Sequence, residues 1–385
     1  MTGWSAVAGS HAFAVPDEKR ARALAEALAA HGFALVTGNP SRLDHGWMVV
    51  AYDEGPYPAD AVGHRAFEMV GRQAVVLARQ HLGSHSPGGI RGNTKTLAKL
   101  RPTSAAIFLN NPGARPPLPA VLFVDAPPPL SLELSPDHVE DVAIDLSGLD
   151  EIPWADLDHA FGKADDVPVL IRLLTDPRQD WAKILDELFG DNLLHQGTCY
   201  SATAPALPFL TRLITSGALP SKRRLDLYCQ LLWAAGQGGH SLTWDADLAV
   251  VQGRPPAPAK WTQEVHATVG EQVPALLARW DVEPPANQAA LAFLAGLYPH
   301  HAASVIDQIA SLAERFEGTQ PGVYLDLAVA LARADDNRAL AIASDIAMWH
   351  DDADLACLDS PAVSTAVKAG CILVDGALHV LSDAG

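Results

Sequence analysis

From Trp154 onward the apolar residues recur at the period of an α-helix, which limits this part of the chain to a stack of amphipathic helices. Asp166 stands as a cap before Val167–Leu174, with Pro168 where a first turn tolerates it. Asp176-Pro177 opens a second helix carrying Trp181, Ile184 and Leu188, and Gly190 ends it. The stretch His195–Leu210 reads as a turn feeding a helix, Ala204–Thr215, capped by Thr203. Ser221 caps Lys222–Ala235, and Gly236-Gln237-Gly238-Gly239 is expected to break it. After a loop over 253–260, helices are predicted over Trp261–Trp280, Ala286–Leu297, His301–Phe316, Val323–Ala334 and Asn337–Trp349. Pro274 is expected to kink the first of these.

The last four helices repeat as pairs. Starts at 286 and 323, and at 301 and 337, give a two-helix unit of about 36 or 37 residues, the spacing of an α-solenoid. The Trp-Leu-Gly-Tyr pattern of tetratricopeptide units is missing, so a HEAT-like solenoid is expected over 151–385. Ala356–Val374 would be its terminal cap, broken by Pro361. An irregular all-helical domain without true repetition is the alternative.

The first hundred residues carry shorter periods. A strand over His11–Pro16 precedes a helix marked by Ala21, Leu24 and Leu28 and stopped by Gly32. Strands at Phe33–Thr37 and Gly46–Ala51 flank a Gly38-Asn39-Pro40-Ser41 turn, then come a helix over about 59–82 and a strand over Gly88–Asn93. The order β-α-β-β-α-β predicts an α+β sandwich of ferredoxin-like type, with both helices on one face of an antiparallel sheet. In element order alone, this segment resembles the regulator of ribonuclease activity B family of small acidic ribonuclease E inhibitors.

Residues 101–150 hold two apolar runs, Ala105–Leu109 and Ala120–Val124, among Pro112, Pro116-Pro117 and Pro127-Pro128-Pro129. Proline this dense cannot sit in a central strand. A hairpin over the first sheet, a semi-rigid spacer, or a ligand for an aromatic groove are the readings left open.

The formal charge of −18 is uneven. Residues 1–100 carry 10 Lys/Arg against 8 Asp/Glu, leaving 17 against 37 for 101–385. An acidic helical half repels phosphate backbones, which argues against nucleic acid and a HEAT-fold nucleic-acid enzyme. It favours a basic protein partner, or serves solubility alone. The four cysteines form no C-x-x-C pair, so neither a disulfide framework nor a zinc site is expected. The first residues lack the pattern of a signal peptide, and no run of about 18 apolar residues is present. A cytoplasmic protein without membrane association is the expectation.

Trp154, Leu157, His159, Ala160, Gly162, Ala164-Asp165-Asp166-Val167-Pro168, His195-Gln196-Gly197-Thr198, Ala202-Thr203 and Pro208-Phe209-Leu210 resemble a bacterial HEAT-like repeat family. The resemblance covers about residues 152–235. It implies a helical repeat fold, and some members look like immunity or interaction modules.

His195 and Cys199, four apart, are the one base-and-thiol pair that could act as a nucleophilic couple. No orienting Asn or Asp is identifiable, and a loop tie to a preceding helix's carbonyls is the competing role for His195 and Gln196. Trp233 lies on an apolar helix face, as core or as a partner anchor. Asp351 and Asp352 read as a solvated helix end rather than a metal ladder. The expected binding set is His195, Gln196, Tyr200, Trp233, Asp351 and Asp352, with no metal and no cofactor. The function expected is non-catalytic protein–protein interaction through an acidic solenoid face, in one form an immunity or inhibitor protein acting by occlusion. The alternative is a small-molecule enzyme or sensor with a pocket between the two parts.

Overall fold

The computed structural model describes residues 7–41, 46–92, 99, 105–118, 125–134, 142–252, 254–350, 358, 360 and 363–382. They form two compact units. The first takes residues 1–125, 243–256 and 355–363, and the second takes 126–242, 257–354 and 364–385.

The first unit is a five-stranded antiparallel sheet with two helices. Its elements are β1 (Val7–Val15), α1 (Glu18–Ala30), β2 (Leu35–Pro40), β3 (Trp47–Tyr57), α2 (Ala61–Gln80), β4 (Ser84–Gly92) and β5 (Ile107–Asn110). The strand order is β4-β1-β3-β2-β5. The first four strands, β4-β1-β3-β2, keep the split β-α-β order that the sequence predicts. β5, one of the two proline-flanked apolar runs, adds to the free edge of β2, with Val36 opposite Leu109. The other run, 120–124, lies outside the described residues. β1 starts four residues earlier than its apolar pattern indicated, because small residues Ala8, Gly9 and Ser10 continue the ladder between β3 and β4.

Alternation along β1 sends Val7, Phe13 and Val15 into the layer under the helices, while Ala8 joins Leu35 and Tyr52 on the opposite face. The Asp17 carboxylate accepts the Arg20 N–H to start α1, which buries Ala21, Leu24, Ala25 and Leu28. Gly32, at φ +110°, ends it in a conformation that L side chains avoid.

Among its described residues the second unit is mostly helical, with an extended stretch at its start and the two-residue strands β6 (Asp158–His159) and β7 (Gly162–Lys163). It contains α3 (Val167–Leu173), α4 (Trp181–Leu185), α5 (Thr203–Thr215), α6 (Ser221–Gln252), α7 (Lys260–Leu277), α8 (Pro285–Leu297), α9 (Ile306–Arg315), α10 (Gln320–Ala332), α11 (Asp336–Trp349) and α12 (Thr365–Ser382). α4 continues as π-helical turns over Asp186–Leu193, and α6 belongs to the first unit from Thr243 on.

The paired helices expected from the repeat spacing are present, and α10 packs on α8, α9 and α11. Nearest-neighbour stacking does not describe the last helix. α12 packs on α8, α10 and α11 together, and 56% of it is buried. Among the described residues it is the one helix long and apolar enough to cross a membrane.

Two sequence expectations are corrected here. Gly236–Gly239 does not break a helix, since α6 runs straight through it. A Cβ on Gly236 would come within 2.6 Å of Val374 Cγ1, and one on Gly239 within 2.8 Å of Cys371 Sγ. The glycines therefore serve close approach of α12. The proline-rich part of the segment over 126–134 is not a free spacer. Pro128 O accepts the Gln320 N–H (3.1 Å) and Glu133 O accepts the Ala286 N–H (3.3 Å), so it crosses the N-termini of α10 and α8 with Leu132 fully buried. It satisfies N–H groups that a helix start leaves open.

Candidate functional site

β6 and β7 form a hairpin with Phe161 at its turn and Gly162 at φ +134°. The scaffold beneath it consists largely of the residues that carry the family resemblance. His159 Nδ1 accepts the Phe161 N–H (3.1 Å), which places the ring proton of the neutral form on Nε2, 3.1 Å from Asp166 Oδ1. Asn192 donates to the other Asp166 oxygen at 3.0 Å, and its own carbonyl accepts the Ala160 N–H at 3.1 Å. Ser201 Oγ accepts the Asp158 N–H (2.8 Å). Thr203 does not cap the helix as its sequence position suggests, since α5 begins at Thr203 itself and no side chain bonds its open N–H groups; its hydroxyl instead ties the preceding loop, accepting from the Tyr200 N–H and donating to Leu193 O.

Held in this way, Phe161 is 69% exposed. Its ring meets His195 edge-on, with centroids 5.3 Å apart. Val169, on the first turn of α3, is also exposed. Between residues 150 and 196 the chain has eleven Asp/Glu and four Lys/Arg. Three of those four bases are engaged locally, Lys163 with Asp158, Arg172 with Asp150 and Arg178 with Asp176. Exposed carboxylates at Asp156, Asp165 and Asp191 border the hairpin in sequence or through Asn192. An exposed aromatic ring set in surplus negative charge can seat a basic, partly apolar segment, and the backbone ladder under it fixes the ring in place.

His195 is half-buried and donates from Nδ1 to Gly190 O at 3.3 Å, at the end of the π-helical turns. Gln196 is exposed and, with φ +49°, shares a left-handed turn with Gly197. Gly197 sits against the Gln237 amide, whose Nε2 donates to Trp233 O, so the His195 loop and the α6 face carrying half-buried Trp233 are neighbours. Tyr200 is half-buried beside Thr203. Asp351 and Asp352 lie outside the described residues. Cys199 is buried, and burial raises its thiol to about 11 although Thr262 hydrogen-bonds the sulfur. A thiol at that value is not a nucleophile near neutrality, and His195 is turned to a backbone carbonyl, so the pair lacks the activated geometry of a catalytic couple.

Phe161 escaped the sequence reading. A lone aromatic beside glycine in a polar turn gives no periodic signal, and only the hairpin geometry exposes it. A second unforeseen feature is the buried network around Glu283, which accepts from Arg224, Arg279, Tyr228 and Asn287. Its partners lie up to 59 residues away from it in sequence, and each alone reads as an ordinary surface residue. Comparisons of the chain with known protein families, with characterised proteins and with solved structures return no match.

Proposed function

We propose that this protein is a non-catalytic binding module that docks a basic segment of another protein through the Phe161 hairpin and the carboxylates around it. One observation carries the reading, namely a 69% exposed phenylalanine held on a hydrogen-bonded hairpin in an acidic stretch of the second unit. The finer form is a HEAT-like array acting by occlusion in the cytoplasm, as an immunity or inhibitor protein does. The paired helices α8–α9 and α10–α11 and the residues of the family resemblance support that form.

The test is affinity capture from host extract at low salt, with the full chain and its Phe161→Ala variant side by side. A protein retained by the wild type, released by added salt and lost with Phe161→Ala is the expected result. An identical set of proteins on both baits sinks the assignment.

A further inference from the structure

Six helices of the second unit leave a cleft of about 200 Å³. It is smaller than the roughly 300–1,000 Å³ of drug-sized pockets, so any occupant is compact. Its lining is apolar, with Gly236, Gly239, Gly296 and Gly370 from three helices set among Leu297, Leu331 and Val367. Two polar side chains, His266 of α7 and Asp336 at the start of α11, belong to its wall.

Stacking and hydrogen bonds hold the His266 ring in place. It stacks on Tyr298 with centroids 4.7 Å apart, and the Tyr298 hydroxyl donates to His266 O at 2.8 Å. Its Nδ1 lies 3.2 Å from Ala235 O and 3.2 Å from the Tyr298 hydroxyl, whose own proton goes to His266 O. A carbonyl oxygen only accepts, so in the neutral ring Nδ1 carries the hydrogen and Nε2 keeps its lone pair. Asp336 is exposed and adds a carboxylate.

The helix ends reinforce this bias. α8 and α10 both finish at the cleft, where Leu297, Leu331 and Ala334 form part of the wall, and helix C-termini carry partial negative charge. The helices that begin there are capped. Asp335 accepts the Arg338 N–H of α11 (3.1 Å) and Ser364 Oγ accepts the Val367 N–H of α12 (3.3 Å). The cleft therefore offers acceptors over an apolar bed, and the net charge of −18 draws cations toward the molecule.

We propose that this cleft binds a compact primary ammonium, its apolar body on the apolar lining and its N–H donors shared between His266 Nε2 and the Asp336 carboxylate. The site is separate from the Phe161 hairpin and stands without the binding function proposed there.

Calorimetric titration of the full chain with benzylamine, and with benzoate as the isosteric anion, tests it. Benzylamine should bind saturably at one site with a Kd of about 1 mM or tighter, and benzoate should not bind. Asp336→Asn should weaken benzylamine about tenfold. Ala366→Trp, at an exposed wall position of α12, should abolish binding without lowering the melting temperature. Silence from benzylamine up to about 10 mM, equal binding of benzoate, or an unchanged affinity in Asp336→Asn overturns the proposal. If Ala366→Trp fails to fold, the Asp336→Asn titration decides alone.

Discussion

Arg224 and Glu283 form a buried ion pair in which the guanidinium Nε lies 3.0 Å from both carboxylate oxygens and Nη2 lies 2.9 Å from one. Neither side chain is more than 5% exposed. Arg279 approaches the same carboxylate at 2.7 Å, Tyr228 donates at 3.2 Å and Asn287 at 2.7 Å. Arg224 also donates to Leu219 O. One carboxylate thus joins the turn before α6, α6 itself, the turn after α7 and the start of α8.

Removing that carboxylate should be costly, because it strands two cations in the interior. Glu283→Ala is expected to destabilise the helical unit by about 3–5 kcal/mol, measured as a lowered urea midpoint in far-UV circular dichroism. Burial alone would raise the Glu283 carboxyl, but hydrogen bonds from Arg224 and Arg279 hold it below the ordinary glutamate range. The stability it contributes is therefore present above the unfolded glutamate value and lost as pH falls below it. A Glu283→Ala midpoint within about 1 kcal/mol of wild type would show that the network is energetically idle.

The thiols give a chemical prediction. Burial pushes Cys199 to about 11 and Cys229 to about 12, the latter helped by Asp226. Neither should be alkylated by iodoacetamide in the native protein near neutral pH, and both should be alkylated in urea. Peptide mass spectrometry reads this directly. Rapid native labelling of Cys199 would reopen the His195–Cys199 pair as a reactive site.

Asp53 makes the opposite pH statement to Glu283. It is buried in the first unit, accepting from the Gly55 N–H and, with both oxygens, from Tyr57 Oη at 3.0 Å. Desolvation outweighs these bonds and raises its carboxyl to about 6. A raised carboxyl favours the protonated folded state, so the stability it contributes is full below the unfolded value of about 3.9 and is lost as pH rises through about 6. Asp53→Asn should flatten this dependence and stabilise the first unit near neutral pH, by up to about 2–3 kcal/mol. Thermal melts of wild type and variant between pH 4 and 8 should converge at the acid end. Parallel curves across that range would contradict the assignment.

The sequence was legible where local chemistry decides the outcome. The buried face of α1 through Ala21, Leu24 and Leu28, its stop at Gly32, and the paired helices beyond 285 all follow from neighbours a few residues apart. It was opaque where distant segments meet. Pro128 and Glu133 read as linker, because the helix N-termini they satisfy are about 150 to 190 residues away and leave no mark on the segment itself. His195 and Cys199 looked like a couple on spacing alone. Only burial and the Gly190 carbonyl show where each is committed.

The glycines of α6 give the sharpest test of that difference. Propensity alone says that any Gly→Ala change inside a helix gains about 1 kcal/mol. The packing makes the sign depend on position. At Gly238 an added Cβ would meet His266 atoms no closer than 3.6 Å, which is ordinary contact. Gly238→Ala should therefore stabilise by up to about 1 kcal/mol. At Gly236 the same methyl would lie 2.6 Å from Val374 Cγ1 and 2.9 Å from Cγ2, so α6 and α12 must move apart. Overpacking of this kind costs about 1–3 kcal/mol, more than the propensity gain, and Gly236→Ala should lower the melting temperature. Trimming the opposing residue, as in Gly236→Ala with Val374→Ala, should recover part of the loss, because the methyl then fills the space Val374 vacates. If Gly236→Ala stabilises as much as Gly238→Ala, α12 does not press on this face of α6, and the glycines act as a helix weak point after all.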